Sequence, residues 1–343
     1  MTVKQFLLAV LNGESIGVII ALLPSALLNQ LLTTAFPHSP LVAQITAMTA
    51  LVQSLLPVIA AFAVGNLLKF HIVDSASVAL AAFVAGGVTT ATANGVVIAG
   101  TGIITNMLIT ILVASAVVLL IGNRLGQFKM LVEPLVVLLV AGGIGLITLK
   151  PVAALQHLVG VGVANATHLT PLVMGGVLGL LFAALIVSPL SSVGVATAIS
   201  LAGVGSGAAN AGIVAASFTL ALMGARVNPL GGTIAHFMGS PKIQMANMLS
   251  KPKLFIPVLL AALVSGASAA ALQMQGTPFS AGFGFSGLIG PLTAWQNSTG
   301  ALLGLRVLLA FVIIPAVIAV IINYIFVRRF KFISETDVQL PEI

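Results

Sequence analysis

The segment GIITNMLITILVASAVVLLI, residues 102–121, is twenty residues long and contains no charged side chain. The hydrocarbon core of a bilayer is about 30 Å thick, and about twenty apolar residues in a helix cross it. The segment therefore predicts a transmembrane helix. It decides the class of fold because most of the chain has the same character.

The composition extends this prediction to the whole chain. Of its 343 residues, 59% are hydrophobic and 6% are charged, and the mean hydropathy is +1.22. Soluble domains carry about 25% charged residues because their surfaces face water, so this surface mostly faces lipid. The composition excludes a disordered chain, and the absence of cysteine excludes a secreted disulfide scaffold. With only 13 Lys and Arg spread along the chain, the net charge of +7 indicates cytoplasmic loops and not nucleic-acid binding.

The sequence predicts an all-α integral membrane protein with about ten transmembrane helices. One apolar segment, 190–224, is too long for a single span and is interrupted by glycines, so we count it as two crossings. The candidate segments are 14–35, 41–66, 75–99, 102–121, 131–149, 168–188, 190–224, 254–273 and 300–327.

The basic residues predict the orientation. Lys and Arg lie before the first span, after the second and fourth, between 225 and 253, and after the last span. If 190–224 crosses twice, every cluster lies on one side, and Lys150 is the exception. Because cytoplasmic loops carry the excess of Lys and Arg, the pattern predicts a multi-pass protein of the plasma membrane with both termini in the cytoplasm.

Three glycine-rich stretches interrupt the apolar pattern. They read GGVTTATANGVVIAGTG at 86–102, GARVNPLGGTIAHFMGSP at 224–241 and GTPFSAGFGFSGLIGP at 276–291. Non-helical backbone at membrane depth is tolerated only where protein covers it or where it lines a wet cavity, and broken helices of this kind bind polar solutes in transporters. The alternative is that the glycines let helices pack closely. For 86–102 the two interpretations stay open; the other two stretches favour binding.

Uncharged polar side chains in and near these stretches are the candidate ligands for a polar solute. His236 is the histidine that falls inside an irregular stretch, and amide and hydroxyl side chains surround it in the sequence. Such groups can hydrogen-bond a polyhydroxylated ligand of little net charge. The candidate substrate-binding residues are Asn94, Asn210, Asn228, His236, Ser240, Gln244, Asn247 and Ser280.

Few residues suggest other chemistry. No spacing of His, Asp and Glu predicts a metal site, and no motif predicts a cofactor or a catalytic residue. Asp74 is expected to cap a helix and Glu133 to lie in a first helical turn, whereas Glu14 enters the first span as a buried or interfacial carboxylate. Arg306, two turns into the last span, suggests either a specific partner or snorkelling toward the interface.

Three segments of the sequence carry a family resemblance. They are LNGESIGVIIALLPSALL at 11–28, NPLGGTIAHFMGSPKIQMANMLSKPKLFIPVLLAAL at 228–263 and GTPFSAGFGFSGLIGPL at 276–292. The chain resembles phosphotransferase-system enzyme IIC membrane proteins, in the perfringolysin-regulator-type branch. The resemblance implies re-entrant hairpins in the C-terminal half, a homodimer, and a sugar bound in that half and phosphorylated from a IIB partner.

Two departures from the family bear on phosphorylation. No acidic residue lies between Glu133 and Glu335, so the glutamate motif of sugar-phosphorylating members is absent, and no cysteine is available for a fused phosphocysteine IIB domain. Phosphotransferase activity would therefore need separate IIA and IIB partners. The resemblance further implies a scaffold and dimerisation bundle at 1–150, a transport bundle at 151–333 and a short solvated cytoplasmic tail at 334–343.

The function predicted from the sequence is alternating-access transport of a small, sugar-like polar solute across the lipid bilayer, with no nucleic-acid partner. Two alternatives stay open. One is a membrane sensor that acts on a cytoplasmic regulatory protein, and the other is a sugar-phosphorylating permease with a separate IIB. A channel would need a polar ring open to both sides.

Overall fold

The structure, a computed structural model, describes residues 1–93 and 95–340. Two compact units make up the chain. Residues 1–25 and 36–155 form the first unit, and residues 26–35 together with the chain from residue 156 onward form the second.

The first unit is helical, with one small hairpin. Its helices, of which the first and last continue into the second unit, are α1 (Val3–Ala35), α2 (Pro40–Ser54), α3 (Leu56–Leu67), α4 (Ile72–Ala85), α5 (Ile104–Ile121), α6 (Lys129–Val137) and α7 (Gly143–Asn165). A π-helical turn at Leu138–Gly142 joins α6 to α7 without a break. Small and branched side chains of α3, α4 and α5 form its core, among them Ala60, Ala82 and Ile111.

The second unit contains three helices of 16 to 22 residues together with several short ones. They are α8 (Pro171–Ile186), α9 (Ser192–Ala198), α10 (Gly203–Gly224), α11 (Leu230–Met238), α12 (Met245–Ser250), α13 (Phe255–Ala271), α14 (Ile289–Asn297), α15 (Leu303–Leu308) and α16 (Ile314–Asn323). π-Helical turns join α15 to α16 and extend α16 to Arg329.

Six helical stretches of the described residues are long and apolar enough to cross a membrane, or seven with the pair α2 and α3, which is bent by 52°. This confirms a helical protein with several spans, whereas the predicted count of ten is not confirmed. The six are Val3–Leu22, Ile104–Ile121, Gly126–His168, Gly203–Gly224, Pro252–Ala271 and Leu303–Arg329.

The segment 190–224 is broken in two, as its glycines predicted, but it does not form two spanning helices. α9 has seven residues, which at 1.5 Å each reach about 10 Å, so it is too short to cross the bilayer core. The break falls at 199–202, and Gly203 opens α10 with φ +61°. The expectation that this segment crosses twice is therefore not confirmed, and the orientation that the basic clusters predict, which depends on an even number of crossings, stays a prediction.

The glycine-rich stretch 86–102 forms a hairpin. Strand β1 (Thr89–Thr92) pairs antiparallel with strand β2 (Gly95–Ile98), and all four residues of β2 are exposed. An exposed ladder has no covering helix that would make a closed polar site. Asn94, one of the predicted ligands, lies outside the described residues.

Three helices, α8, α10 and α13, form the core of the second unit, and glycines set their separation. A Cβ on Gly212 of α10 would collide with the backbone of Gly179 in α8, and a Cβ on Gly266 of α13 would collide with the backbone of Gly175. Small residues let helix backbones approach this closely in membranes. Gly212 of α10 therefore serves close helix packing.

Gly212→Val is expected to destabilise the second unit by about 1–3 kcal/mol or more, because overpacking a tight core forces backbone shifts. Thermal unfolding in detergent measures the effect. Gly231→Ala is the matched control, since its added Cβ has open space around it. Equal unfolding temperatures for the Gly212 variant and the wild type would contradict the close α8–α10 contact.

Arg306 has a specific partner and does not snorkel. Its Nε donates to the carbonyl oxygen of Leu272 at 3.0 Å, Nη2 donates to the same oxygen, and Nη1 donates to the carbonyl of Thr299 at 2.8 Å. Leu272 follows the last residue of α13. A guanidinium at this position satisfies carbonyls at a helix C-terminus, where cations are favoured.

Candidate functional site

Polar side chains of the second unit gather in two separate groups. The first, called the serine cluster below, consists of Ser206, Asn210, Thr277 and Ser280. The second, called the amide network, consists of Asn228, His236, Gln244 and Asn247. From the sequence, members of both groups were expected to bind the same solute. In the structure, each group has its own hydrogen-bond partners.

The serine cluster lies where segment 276–291, which consists of turns and short 3₁₀ helices up to the start of α14 at Ile289, packs on α10. Gly203 and Gly276 exchange both of their backbone hydrogen bonds, at 2.9 and 3.0 Å. Further along the segment, Gly284 and Leu288 have φ of +61° and +59°, a conformation that ends any helix. Ser280 is buried. Segment 276–291 is thus irregular backbone covered by protein, the arrangement that membrane proteins tolerate.

Two kinds of hydrogen bond hold the serine cluster together. Ser206 Oγ donates to the carbonyl of Thr277 at 2.8 Å, and Asn210 Oδ1 accepts from the backbone N–H of Gly284 at 2.9 Å. The contacts to the Ser280 hydroxyl from Asn210 Nδ2 and Ser206 Oγ are both 3.4 Å. The first two are of ordinary length and the last two are long. The Ser280 hydroxyl is itself held within its own turn, because Oγ accepts from the N–H of Thr277 at 3.0 Å and donates to the carbonyl of Thr277 at 3.1 Å. The long contacts are therefore those that Asn210 and Ser206 add to it.

The amide network binds the backbone of the chain's own C-terminal segment. Asn228 Nδ2 donates to the carbonyl of Val338 at 3.0 Å, and its Oδ1 accepts from the N–H of Leu340 at 2.7 Å. Gln244 Nε2 donates to the same Val338 carbonyl at 2.8 Å. Asn247 Nδ2 donates to the carbonyl of Gln339 at 2.9 Å and to Gln244 Oε1 at 2.7 Å.

His236 completes this network as a neutral imidazole. It is fully buried, and burial lowers its pKa to about 4, although contacts to the carbonyls of Gly232 and Thr233 act in the opposite direction. Nδ1 lies 2.9 Å from the Gly232 carbonyl, so Nδ1 carries the proton. Nε2 then accepts from Gln244 Nε2 at 3.2 Å, which fixes the amide of Gln244 toward Val338.

Ion pairs hold the charged part of the same segment, Ser334–Leu340, which we call the tail. Asp337 pairs with Lys253 and, at 3.2 Å, with Lys251, and Glu335 pairs with Arg226 at 3.4 Å. Val338 is fully buried. Of the tail that was expected to be solvated, Ser334, Thr336 and Gln339 are exposed, whereas Val338 and Leu340 are buried, and residues 341–343 lie outside the described residues. Alternating charged and apolar residues give the tail one face for the basic loop and one for the core.

The tail is expected to be released as the pH falls. Partial burial alone would raise the pKa of Asp337, but hydrogen bonds from Lys253, Ser334 and Lys251 hold it below the ordinary 3.8. The ionised carboxylate therefore stabilises docking above pH 3.8, and this contribution is lost as the pH falls through the lower pKa of the docked state.

A spin label measures this release, since the chain has no cysteine and Gln339→Cys creates a single attachment site. The label should be immobile near neutral pH and mobile well below pH 3.8. Asp337→Asn should give a mobile label at every pH. A label equally immobile in both proteins across this range would contradict the role of Asp337.

The remaining candidates are placed as follows. Ser240 Oγ accepts from the N–H of Lys242 at 3.2 Å and so starts the 3₁₀ turn Pro241–Gln244. Glu14 is buried in α1, which agrees with the first of the two possibilities given for it, a buried or an interfacial carboxylate. Among the described residues, no group of three or more His, Asp and Glu side chains could hold a metal ion.

Sequence reasoning missed three residues of the second unit. Ser206 and Thr277 belong to the serine cluster, but serine and threonine are common in membrane helices and gave no signal. Lys242, assigned to a cytoplasmic loop, is buried, and its Nζ donates to the carbonyls of Ser188 and, at 3.0 Å, Leu190. Its position between a proline and an apolar run is the only sequence hint of burial.

Comparison with known proteins adds one match. The family model described as "Phosphotransferase system, EIIC" matches residues 8–340, nearly the whole chain. No curated protein matched the chain.

Proposed function

The chain belongs to the phosphotransferase-system EIIC family, and on that premise we propose that it carries a sugar by alternating access through its second unit. It is a multi-pass membrane protein and a sugar transporter of the EIIC type. Alternating access moves one helical body against another around a central site. The polar groups of the second unit support a more exact position for that site.

We place the sugar at the serine cluster. The observation that carries this proposal is the pair of 3.4 Å contacts to the Ser280 hydroxyl, from Asn210 and from Ser206. A long hydrogen bond between buried groups is weak, so a sugar hydroxyl that replaced it would form shorter bonds at little cost. Amide and hydroxyl groups without charge suit a neutral polyhydroxylated ligand.

The amide network has a different role in this proposal. Asn228, Gln244 and Asn247 use their amide groups on the backbone of the tail. These groups are open to a solute only after the tail leaves. Binding of sugar there, as predicted from the sequence, would therefore compete with the tail.

Transport without phosphorylation by this chain is the form we propose. No acidic side chain lies between Glu133 and Glu335, so the serine cluster has no carboxylate from its own part of the sequence to act as a base on a sugar hydroxyl. Phosphoryl transfer requires a positioned base or equivalent group for the nucleophile. A separate IIB protein would have to supply that chemistry.

Uptake by proteoliposomes tests the proposal. The purified protein should accumulate at least one radiolabelled sugar from a broad panel as the free sugar, without any IIB protein. Sugar that enters only as a phosphate ester, and only with a IIB protein inside, would establish the permease alternative. Failure to take up any sugar, with folding verified by thermal unfolding, would contradict transport.

A sensor is the second candidate, and the docked tail favours it. A segment held by three amide side chains and three basic ones is suited to release as an output signal. If sugar mobilises a spin label at Gln339→Cys while no sugar crosses the membrane, the protein is a sensor. The homodimer and the cytoplasmic termini belong to this proposal as predictions, and cross-linking and cysteine accessibility test them.

A further inference from the structure

A cluster of buried charges in the first unit has no part in the sugar site. Asp74 of α4 and Glu133 of α6 are buried, and Lys129 is about one quarter exposed. Lys129 Nζ lies 2.6 Å from Asp74 Oδ1 and 3.8 Å from Glu133 Oε2. Buried ionisable groups in a membrane protein are costly and by default suggest a functional site.

Asp74 caps the start of α4, as expected, whereas Glu133 does not lie in the first turn of α6. Asp74 is the third residue of α4 and accepts from the N–H of His71 at 2.9 Å, so its second oxygen is left for Lys129. Glu133 is the fifth residue of α6, past the first turn, because the helix begins earlier, at Lys129. Its carboxylate therefore gains nothing from the free amides at the helix start.

Glu133 is the group that a structural role does not explain. Within the described part of the chain, no hydrogen bond of ordinary geometry reaches either of its oxygens, although Asp74 and Ser77 lie beside it, and its ion-pair distance to Lys129 is 3.8 Å, beyond hydrogen-bond length. A buried carboxylate left in this state is expensive to keep ionised. The neutral acid, in contrast, can donate to the neighbouring carboxylate of Asp74.

The three charged groups converge beside a cavity. A Cβ placed on Gly122, at the end of α5, would lie 3.2 Å from Glu133 Oε2, 3.6 Å from Lys129 Nζ and 3.7 Å from Asp74 Oδ1. Gly122, Asp74 and Lys129 line a cavity of about 190 Å³. Protons thus have a route from the cavity to Glu133 by way of Asp74 and Lys129.

The charges around Glu133 determine what can bind. From the α3–α4 connection the cavity wall carries Lys69 and His71, from α4 Asp74, and from α6 Lys129; α5 contributes Gly122 and apolar side chains. With both acids ionised, the pair and Lys129 sum to one net negative charge. One added proton makes them neutral, while the basic wall disfavours a metal cation.

We propose that Asp74 and Glu133 form a reversible proton-binding site that links sugar movement to the proton gradient. On binding, an O–H bond forms on the Glu133 carboxylate, and a hydronium ion from the cavity becomes water; release reverses this, and no electrons are transferred. The link to sugar movement rests on the proposed transport function, whereas proton binding itself does not.

Infrared difference spectroscopy of the purified full-length protein between alkaline and acidic pH tests proton binding directly. The wild type should show the carbonyl stretch of a buried protonated carboxyl group, and Glu133→Gln should lose that band completely. Asp74→Asn, which removes the partner, should shift it. Glu335→Gln, which changes an acid of the second unit, is the matched control and should keep it. No such band in the wild type, or a band unchanged in Glu133→Gln, would overturn the proposal.

Proteoliposome uptake then tests the link to transport. An inwardly directed proton gradient should raise sugar uptake severalfold in the wild type and leave uptake unchanged in Glu133→Gln. Stimulation by a sodium gradient but not by a proton gradient would overturn the link. If the infrared band behaves as expected and no sugar is transported at all, the proton site stands and the transport function fails.

Discussion

Replacing Asn210 with alanine is expected to lower sugar uptake by about 5- to 150-fold. The variant removes the donor to Ser280 and the acceptor for the N–H of Gly284. A lost hydrogen bond that leaves a buried partner unpaired costs about 1–3 kcal/mol, which corresponds to this range in affinity. Initial uptake rates into proteoliposomes over a range of sugar concentrations measure the change.

Two further variants separate binding from folding. Asn210→Asp keeps an acceptor for the N–H of Gly284 and removes only the donor, so it should fold and still bind sugar poorly. Asn165→Ala changes an exposed asparagine at the end of α7 and should transport normally. If Asn210→Asp takes up sugar like the wild type, the sugar does not bind at the serine cluster.

Replacing Asn228 with alanine is expected to shift the tail from docked to released by about 5- to 150-fold. Asn228 holds the tail at two points, the carbonyl of Val338 and the N–H of Leu340. The Val338 carbonyl keeps its bond from Gln244, but the buried N–H of Leu340 loses its acceptor, at a cost of about 1–3 kcal/mol. A spin label at Gln339→Cys reports the released fraction as a mobile component.

Ser250→Ala is the control for this variant. Its hydroxyl donates within α12, to the carbonyl of Asn247 at 3.2 Å. The control should leave the label immobile. An immobile label in Asn228→Ala as well would show that the ion pairs of Asp337 and Glu335 hold the tail without the amides.

Sequence reasoning predicted the class of fold because lipid constrains composition so strongly. Residues 102–121 predicted a span, and the structure has a helix there from Ile104 to Ile121. The predicted spans 75–99 and 168–188, in contrast, contain helices of only 14 and 16 residues. The family was also predictable, since motifs at 228–263 and 276–292 lie within the matched region. Its finer branch stays a prediction.

The partners of single polar residues were harder to predict. Asn228 and Gln244 are amides near a histidine in the sequence, which fits a solute site, yet their partners in the structure lie about a hundred residues away in the tail. Amide groups bind sugar hydroxyls and peptide groups equally well. Only the fold decides between them.

The predicted count of ten spans is not confirmed, for a related reason. Counting apolar residues assumes that each segment forms straight helices. In the structure the chain turns before α10, where Gly203 has a positive φ, and the helix before this turn, α9, is only seven residues long. Length within the segment did not tell where the turn would fall. The hairpin at 86–102 was not predicted either, because its small residues are compatible both with strands and with close helix contacts.

Docking of the tail has a consequence for biogenesis. The side chains of Asn228 and Gln244 leave the ribosome about a hundred residues before their partners in Val338 and Leu340. During that interval of translation these amides must be satisfied by water or by a chaperone. Nonsense or frameshift mutations that remove residues 334–340 would therefore yield a nascent protein with its spans inserted and one face of the second unit left unfinished, a substrate for membrane quality-control proteases.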